Sequence, residues 1–315
     1  MPTTSPAEPR TAPRLGIALG SGSARGWSHI GILQGLVENG LAPAVVTGSS
    51  VGAMVAAAYA SGQLAGLEAW VRTLTQLDVW RLVDTTFSGG GVMTGNRLMQ
   101  AIGQHVQDRS IESLPIAFGA VATELDTGQE VWLREGSMLA AVRASSGLPG
   151  IFAPVKHQGR WMIDGGVVNP VPVSLCRALG ADVVVAVNLN KRVDTVRARA
   201  KVPAEVASAT AEEAAERSAL TQRWAALVEG LMGRLRSATP DEPGFFEVMS
   251  ASVRIMQDRI TQARMAGDVP DLVLAPELDH FQLMDFHRAA EAIEVGRAAA
   301  AASAPQIAAL LKPAA

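Results

Sequence analysis

A serine between two glycines is the first feature of this sequence whose residue types and spacing could do chemistry. Ser50 is the centre of a G-x-S-x-G pattern that begins at Gly48 and ends at Gly52. The pattern lies between an apolar run at residues 44–46 and an alanine-rich run at residues 53–60, which predict a strand and a helix. At such a turn the serine is held in a sharp bend, and its hydroxyl is exposed where the helix favours negative charge. Ser50 is therefore a candidate nucleophile for acyl transfer.

A glycine-rich loop precedes this pattern and offers a site for an anion. Residues 20–26 read G-S-G-S-A-R-G and lie between a predicted strand, Leu15–Leu19, and a predicted helix, Trp27–Glu38. Backbone N–H groups in such a loop can converge on a negatively charged group. The loop can bind the phosphates of a dinucleotide, stabilise an oxyanion, or serve only as a tight turn.

The residues after the next strand favour an oxyanion hole over a dinucleotide site. In a dinucleotide-binding fold, the second strand ends at an acidic or basic residue that meets the ribose, whereas here Thr47 and a glycine follow. In an oxyanion hole, Gly22 and Ser23 would supply N–H donors. Arg25 would fix the loop or meet charge on the substrate.

An aspartate followed by two glycines is the third candidate. Asp164 ends a short strand predicted over residues 161–163, and Gly165 and Gly166 allow the chain to bend sharply. Its carboxylate can satisfy N–H groups of the bend, as in an Asx turn, or accept the proton of Ser50. Carboxylates are weak bases at neutral pH, so the second role needs a pKa raised by burial.

A histidine is the usual base for a serine nucleophile, and the sequence has five of them. They are His29, His105, His157, His280 and His287. The first lies just inside a predicted helix, and the next two lie in polar segments typical of a surface. His280 and His287 follow almost every predicted strand, which is where the Ser-Asp-His order of α/β-hydrolases places the base. A hydrolase with a Ser-His-Asp triad therefore stays open as an alternative.

Composition and charge exclude several classes of protein. The 315 residues are 48% hydrophobic with a formal net charge of -3, which is typical of a globular protein without a nucleic-acid partner. Cys176 is the only cysteine, so it is predicted to be a core thiol rather than part of a disulfide. Residues 1–13 predict a disordered leader, and no apolar run is long enough to span a membrane. We expect a cytoplasmic protein that can contact the inner face of a membrane transiently.

Strands that alternate with helices predict an α/β fold with a mostly parallel central sheet flanked by helices. Further apolar runs predict strands at residues 116–122, 182–189 and 271–275, a helix at residues 172–179, and alanine-rich helices at residues 286–311. We expect residues 14–315 to form a single domain.

The composition changes at about residues 203–267, which we call the helical insertion. Apolar residues recur there at helical spacing and predict two amphipathic helices. They are Leu220, Trp224, Leu227, Leu231 and Leu235 in the first helix and Phe246, Met249, Val253, Met256 and Ile260 in the second. Their apolar faces either pack against each other and the sheet, or form a mobile lid or a membrane-facing surface near the site.

Taken together and in this order, the loop, the serine pattern and Asp-Gly-Gly resemble the patatin-like phospholipase family. Its members carry a glycine-rich oxyanion loop that ends in Arg-Gly or Lys-Gly, then G-x-S-x-G, then Asp-Gly-Gly or Asp-Gly-Ala. The segment Ser145–Pro154 is similar to the family's segment ahead of the aspartate, and Arg25–Gly31 match the loop of the compact bacterial branch. The resemblance covers residues 15–190.

The resemblance implies a three-layer patatin-like fold and hydrolysis of lipid ester bonds without a metal or a cofactor. It assigns Ser50 as the nucleophile and Asp164 as the base of a Ser-Asp dyad. The implied oxyanion hole consists of Gly20, Gly22, Ser23, Arg25 and Gly26. A catalytically weak lipid-binding or regulatory protein with the same fold is the alternative, although the intact serine and aspartate disfavour it.

Overall fold

The computed structural model describes residues 13–82, 94–190 and 245–312. The chain divides into two units, one of residues 1–191 and 254–315 and one of residues 192–253. In the second unit only residues 245–253 are described, and they begin a helix. Residues 1–12 of the predicted leader and the first predicted helix of the insertion lie outside the described residues. The single domain of residues 14–315 therefore stays a prediction.

The described residues contain one sheet of eight strands. The strands are β1 (Leu15–Leu19), β2 (Val45–Ser49), β3 (Ala117–Glu124), β4 (Glu130–Leu133), β5 (Val155–His157), β6 (Arg160–Asp164), β7 (Val183–Val187) and β8 (Leu272–Leu274). Their order is β5-β6-β3-β2-β1-β7-β8, and β4 also pairs with β3. Strands β8, β7, β1, β2 and β3 pair in parallel, whereas β4, β5 and β6 pair antiparallel.

Nine α-helices occur in the described part of the chain. They are α1 (Ser28–Glu38), α2 (Val51–Ala60), α3 (Leu64–Val71), α4 (Gln76–Arg81), α5 (Asn96–His105), α6 (Met138–Ser145), α7 (Val173–Ala178), α8 (Phe245–Met265) and α9 (Ala289–Leu310). Short 3-10 helices cover Ser23–Trp27, Ile111–Ser113, Gly165–Val167 and Phe286–Arg288. Two of these, at Ser23–Trp27 and Gly165–Val167, belong to the motifs that the sequence singles out.

Helices cover both faces of the sheet because both alternating sets of side chains on the central strands are apolar. In β1, Leu15, Ile17 and Leu19 join the larger buried cluster, whereas Ala18 joins a smaller one. The larger cluster includes residues of α1, α2, α6 and α9, and the smaller one includes residues of α7. Strands buried on both faces are typical of parallel sheets. The structure confirms the predicted three-layer α/β fold.

The structure shifts the ends of several predicted elements. The strand predicted at residues 44–46 continues to Ser49, because β2 pairs with β3 up to that residue. The helix predicted from Trp27 begins earlier, as the 3-10 turn Ser23–Trp27. Cys176 is fully buried, as predicted for a core thiol, and burial raises the pKa of that thiol to about 12. The sequence does not predict β4 or β5, since such short strands depend on pairing and not on periodicity.

A helix is present where the second part of the insertion predicts one, but its buried side differs from the predicted apolar stripe. In α8, Gln257 and Thr261 are buried, whereas Ile255 and Met256 are 54% and 55% exposed. Gln257 takes this position because its side chain accepts a hydrogen bond inside the fold. Part of this helix therefore packs through polar residues.

Candidate active site

Ser50 lies at the sharp turn between β2 and α2, as the G-x-S-x-G pattern predicts. Its backbone has φ 58° and ψ -126°, a strained conformation that directs the side chain away from both elements. Glycine is required on either side because the backbones are in contact. A Cβ on Gly52 would lie 2.2 Å from the carbonyl oxygen of Leu19, and one on Gly48 would lie 2.3 Å from the nitrogen of Ala53.

The register of β3 brings Asp164 to Ser50. Ser49, the last residue of β2, pairs with Val121, and Asp164, the last residue of β6, pairs with Ala122. Because β2 is parallel to β3 and β6 is antiparallel to it, the two strands end at adjacent positions while running towards each other. Two residues that are 114 positions apart in the sequence are thereby placed in contact.

A hydrogen bond joins the two side chains, which we call the dyad. Ser50 Oγ donates to Asp164 Oδ2 at 2.7 Å, and the N–H of Gly166 donates to Oδ1 at 2.8 Å. Burial of the carboxyl raises the pKa of Asp164 to about 6, against the lowering effect of these two hydrogen bonds. The group is therefore ionised at neutral pH and more basic than an ordinary carboxylate. The carboxyl closes the Asp-Gly-Gly turn, and the same geometry is compatible with its predicted role as the acceptor of the Ser50 proton.

Two buried side chains that the sequence does not assign fix the dyad. Ser145 Oγ accepts the backbone N–H of Ser50 at 2.9 Å. Thr123 Oγ1 donates to the backbone carbonyl of Asp164 at 2.8 Å. The available signal for Ser145 is its place at the start of the segment ahead of the aspartate. Thr123 has no sequence signal, because its role depends on the pairing of β3 with β6.

The glycine-rich loop lies against the turn of Ser50. A Cβ on Gly26 would lie 2.1 Å from Cγ1 of Val51, the residue that follows Ser50. A Cβ on Gly52 would lie 2.8 Å from the carbonyl oxygen of Gly20. The loop that follows β1 and the turn that follows β2 are therefore packed together at the carboxyl edge of the sheet.

Two N–H groups of this loop can receive an anion. Among the described residues, those of Gly22 and Ser23 have no hydrogen-bond acceptor. The N–H of Gly20, by contrast, donates to the carbonyl oxygen of Val187 at 3.1 Å. Of the predicted set, the N–H groups of Gly22 and Ser23 are thus free to act as donors, whereas the N–H of Gly20 attaches the loop to β7. Gly20 therefore belongs to the predicted loop but does not have a free N–H group to offer.

Arg25 points into the protein and fixes the loop. Its guanidinium donates to the carbonyl oxygens of Gly22 and Leu189 at 3.2 and 2.8 Å and to Asn190 Oδ1 at 2.9 Å. Burial lowers the pKa of Arg25 to about 10, so the side chain is still charged at neutral pH. Of its two predicted roles, the geometry supports the fixing of the loop.

In the described residues, no histidine is hydrogen-bonded to either member of the dyad. His29 is fully buried, donates from Nε2 to the carbonyl oxygen of Gly20 at 2.7 Å, and has its pKa lowered to about 4 by burial. His280 contacts Glu291 Oε1 at 2.9 Å. His287 lies in the 3-10 helix that precedes α9. The structure gives a triad with histidine no geometric support.

Metal-binding clusters and membrane-spanning helices are both absent from residues 13–82, 94–190 and 245–312. These residues contain no cluster of three or more His, Cys, Asp or Glu suited to a metal ion. Within the same ranges, every helix is too short or too polar to cross a membrane.

Comparison with known proteins identifies the family. Residues 17–177 match the family model described as patatin-like phospholipase, and this region contains the loop, the turn of Ser50 and Asp164. An NTE family protein of Mycobacterium tuberculosis is 34% identical over 327 aligned residues, which cover 92% of this chain and 91% of that protein. This chain belongs to the patatin-like phospholipase family.

Some other members of the patatin-like phospholipase family are much longer than this chain. Human patatin-like phospholipase domain-containing protein 6 is 30% identical over 59% of this chain and 14% of its own length. Lysophospholipase NTE1 of Pyricularia oryzae is 27% identical over 90% of this chain and 18% of its own length. The near-complete match with the mycobacterial protein agrees with the compact bacterial branch. The family supports hydrolysis of lipid ester bonds as the activity class.

Proposed function

We propose that this protein is a serine hydrolase that cleaves carboxylic ester bonds of lipids or phospholipids through an acyl-enzyme. The family supports a lipid as substrate, and the names of two relatives, a phospholipase domain-containing protein and a lysophospholipase, agree with it. The observation that carries the proposal is the hydrogen bond of 2.7 Å between Ser50 Oγ and Asp164 Oδ2.

In the acylation step, Ser50 Oγ attacks the ester carbonyl carbon and its proton passes to Asp164 Oδ2. The carbonyl oxygen becomes an oxyanion, which accepts hydrogen bonds from the N–H groups of Gly22 and Ser23. When this intermediate collapses, the bond to the leaving alcohol breaks and Asp164 gives its proton to that alcohol. The fatty acyl group is then an ester of Ser50.

In the deacylation step, water takes the place of the alcohol and Asp164 again acts as the base. Asp164 accepts a proton from a water molecule, whose oxygen attacks the acyl carbonyl carbon. The second oxyanion occupies the same hole, and its collapse breaks the bond to Ser50 Oγ, which recovers a proton from Asp164. The fatty acid leaves and the dyad is restored.

The experiment compares wild type with Ser50→Ala and Asp164→Asn in a short-chain p-nitrophenyl ester assay, a lysophospholipid assay and labelling by a fluorophosphonate. Ser49→Ala is the matched control, because Ser49 is the buried neighbour of the nucleophile and ends β2. We expect kcat to fall by at least about 10³-fold in both dyad variants, and labelling to disappear in Ser50→Ala.

The histidine variants His280→Ala and His287→Ala separate the dyad from a triad. We expect both to retain activity. Loss of turnover in a folded histidine variant contradicts the role of Asp164 as the base. Absence of labelling and of ester turnover in wild type would instead favour a lipid-binding protein with the same fold.

A further inference from the structure

A chain of buried amide side chains connects the glycine-rich loop to the helix α8. Asn190 is 1% exposed and Gln257 is 6% exposed. Asn190 Oδ1 accepts from Arg25 Nη2 at 2.9 Å, while Asn190 Nδ2 donates to the carbonyl oxygen of Ser21 at 3.2 Å and to Gln257 Oε1 at 3.1 Å. One amide thus contacts two residues of the loop and one residue of the helix.

The same chain reaches the turn that carries Asp164. A Cβ on Gly166 would lie 2.4 Å from Gln257 Nε2, 2.7 Å from Ser21 Oγ and 2.9 Å from Asp164 Oδ1. Gly166 is also the residue whose N–H donates to Asp164 Oδ1. The amide of Gln257 therefore packs directly on the turn of the proposed base, and it can do so because residue 166 has no side chain.

Stability alone gives little reason to place these amides here. Burial of a polar amide costs free energy that its hydrogen bonds only offset, whereas apolar residues of the same size would fill the space favourably. The helix α8 nevertheless buries Gln257 and leaves Ile255 and Met256 exposed. A buried hydrogen-bonded network of this kind favours one arrangement of the groups that it joins.

We propose that Asn190 and Gln257 are positioning residues that hold the glycine-rich loop, through Arg25 and Ser21, against the turn of Asp164. Asn190 orients the guanidinium, which in turn holds the carbonyl of Gly22 and so directs the neighbouring N–H groups of the loop. Gln257 holds Asn190 in place and packs on Gly166. The catalytic consequence rests on the proposed function, whereas the effect on the loop does not.

Amide hydrogen exchange tests the effect on the loop independently of activity. The variants are Asn190→Ala, Gln257→Leu and Gln257→Glu, and the last keeps an acceptor for the amide of Asn190. Gln262→Leu is the matched control, since Gln262 is exposed on the same helix and bonds only Asp258 among the described residues. We expect exchange of residues 20–26 to rise about 10-fold in the first two variants, and less in Gln257→Glu.

Kinetics supply the second readout. We expect kcat for the p-nitrophenyl ester to fall about 10-fold in Asn190→Ala and Gln257→Leu while KM changes less than about 3-fold, because the oxyanion exists only after attack. Gln257→Glu keeps the acceptor for Asn190 but places a second buried carboxyl beside Asp164, so it should recover only part of the loss in kcat. Gln262→Leu should match wild type.

Each outcome decides between positioning and a merely structural role. A rise in exchange that is equal in the loop and in β7, or no rise at all, overturns the inference, as does a loss of kcat that is the same in Gln262→Leu. If exchange rises selectively in the loop but wild type turns over no ester, the positioning of the loop stands and the proposed function fails.

Discussion

At the scale of single residues, the environment of Asp164 decides how it can act as a base. Its carboxyl is completely buried, and two hydrogen bonds only partly offset the resulting loss of solvation. The pKa of about 6 is close to the value that suits a general base working at neutral pH. Ser50 adds backbone strain at φ 58°, which the packing around it must hold. Both features lower the stability of the fold, which the proposed function explains by the reactivity that they give to the dyad.

The raised pKa predicts the acid limb of the activity. Asp164 accepts a proton only when ionised, so kcat/KM should fall tenfold per pH unit below a midpoint of about 6. The measurement is kcat/KM of the short-chain ester between pH 4.5 and 9. As a control for a histidine base, the profile is repeated with His280→Ala and His287→Ala, which should keep the midpoint. If the acid limb of the kcat/KM profile moves or disappears in either histidine variant, Asp164 is not the group that produces it.

The same shift predicts a pH-dependent gain in stability for Asp164→Asn. A pKa raised by folding means that the folded state favours the protonated carboxyl, so the group destabilises the fold once it ionises. The loss begins above the unfolded value near pH 4 and is complete above pH 6, where it amounts to about 3 kcal/mol. We expect Asp164→Asn to exceed wild type in free energy of unfolding at pH 8.

The check is urea denaturation of both proteins at pH 8 and pH 4. The difference in free energy of unfolding between the two proteins should shrink at pH 4, because Asp164 of the folded wild type is then protonated and neutral, like asparagine. If the variant exceeded wild type by the same free energy of unfolding at pH 8 and pH 4, ionisation of Asp164 would not be the cause of its higher stability.

At the scale of elements, the site depends on three strands that end close together. The parallel strands β1 and β2 end next to each other, so the loop and Ser50 lie at the same edge of the sheet. Strand β6 runs in the opposite direction and ends there with Asp164. Short glycine contacts bring the backbones together, and Ser145 at the end of α6 holds the turn. Small changes in these contacts should therefore act on both folding and catalysis.

Gly52→Ala tests the close packing of the turn. The new Cβ would lie 2.2 Å from the carbonyl oxygen of Leu19, so the start of α2 must move away from β1. We expect the free energy of unfolding to fall by about 2–3 kcal/mol, with loss of activity. Gly103→Ala in α5 is the control, because its nearest neighbour would be Leu139 Cδ1 at 3.8 Å.

In thermal or urea denaturation, the change in free energy of unfolding should have opposite signs in the two alanine variants. Alanine is the better helix former, so Gly103→Ala should gain about 0.5–1 kcal/mol. If Gly52→Ala matched wild type in stability and activity, the tight turn would not be needed for either.

Ser145→Ala tests how the nucleophile is held. The backbone N–H of Ser50 loses its acceptor, which should cost about 1–3 kcal/mol and lower kcat about 10-fold because the turn relaxes. Ser146→Ala is the matched control, since the hydroxyl of Ser146, the residue after α6, bonds only the carbonyl of Val142 among the residues that the structure describes. If both variants had equal kcat and KM for the short-chain ester, Ser145 would not be needed to hold the turn of Ser50.

At the scale of the whole molecule, much of the fold follows from local sequence, and the site follows only in part. Alternating apolar runs and glycines predict β1, β2, α2 and the turn at Ser50, because each depends on neighbours within a few residues. The order of the three motifs indicates the family. The pairing of β6 with β3 is a long-range feature without periodicity, so the sequence alone cannot specify the contact of the dyad.

Residues that act through such long-range contacts cannot be predicted from local sequence for the same reason. Asn190 and Gln257 are 67 positions apart, and neither belongs to a pattern. Gln257 even lies off the apolar stripe that the helical spacing predicts for α8. The role of Gly20 also depends on tertiary contacts, because the partner that occupies its N–H is Val187 of β7.

The acyl-enzyme is the central claim, and trapping it is the most direct test. A short-chain p-nitrophenyl ester is mixed with the enzyme, the reaction is stopped in acid within milliseconds, and peptides are analysed by mass spectrometry. We predict an acyl group on the peptide that contains Ser50, located on Ser50 and not on Ser49, and absent in Ser50→Ala. Ester turnover in wild type with the acyl group on another residue, or with turnover kept in Ser50→Ala, would contradict the account.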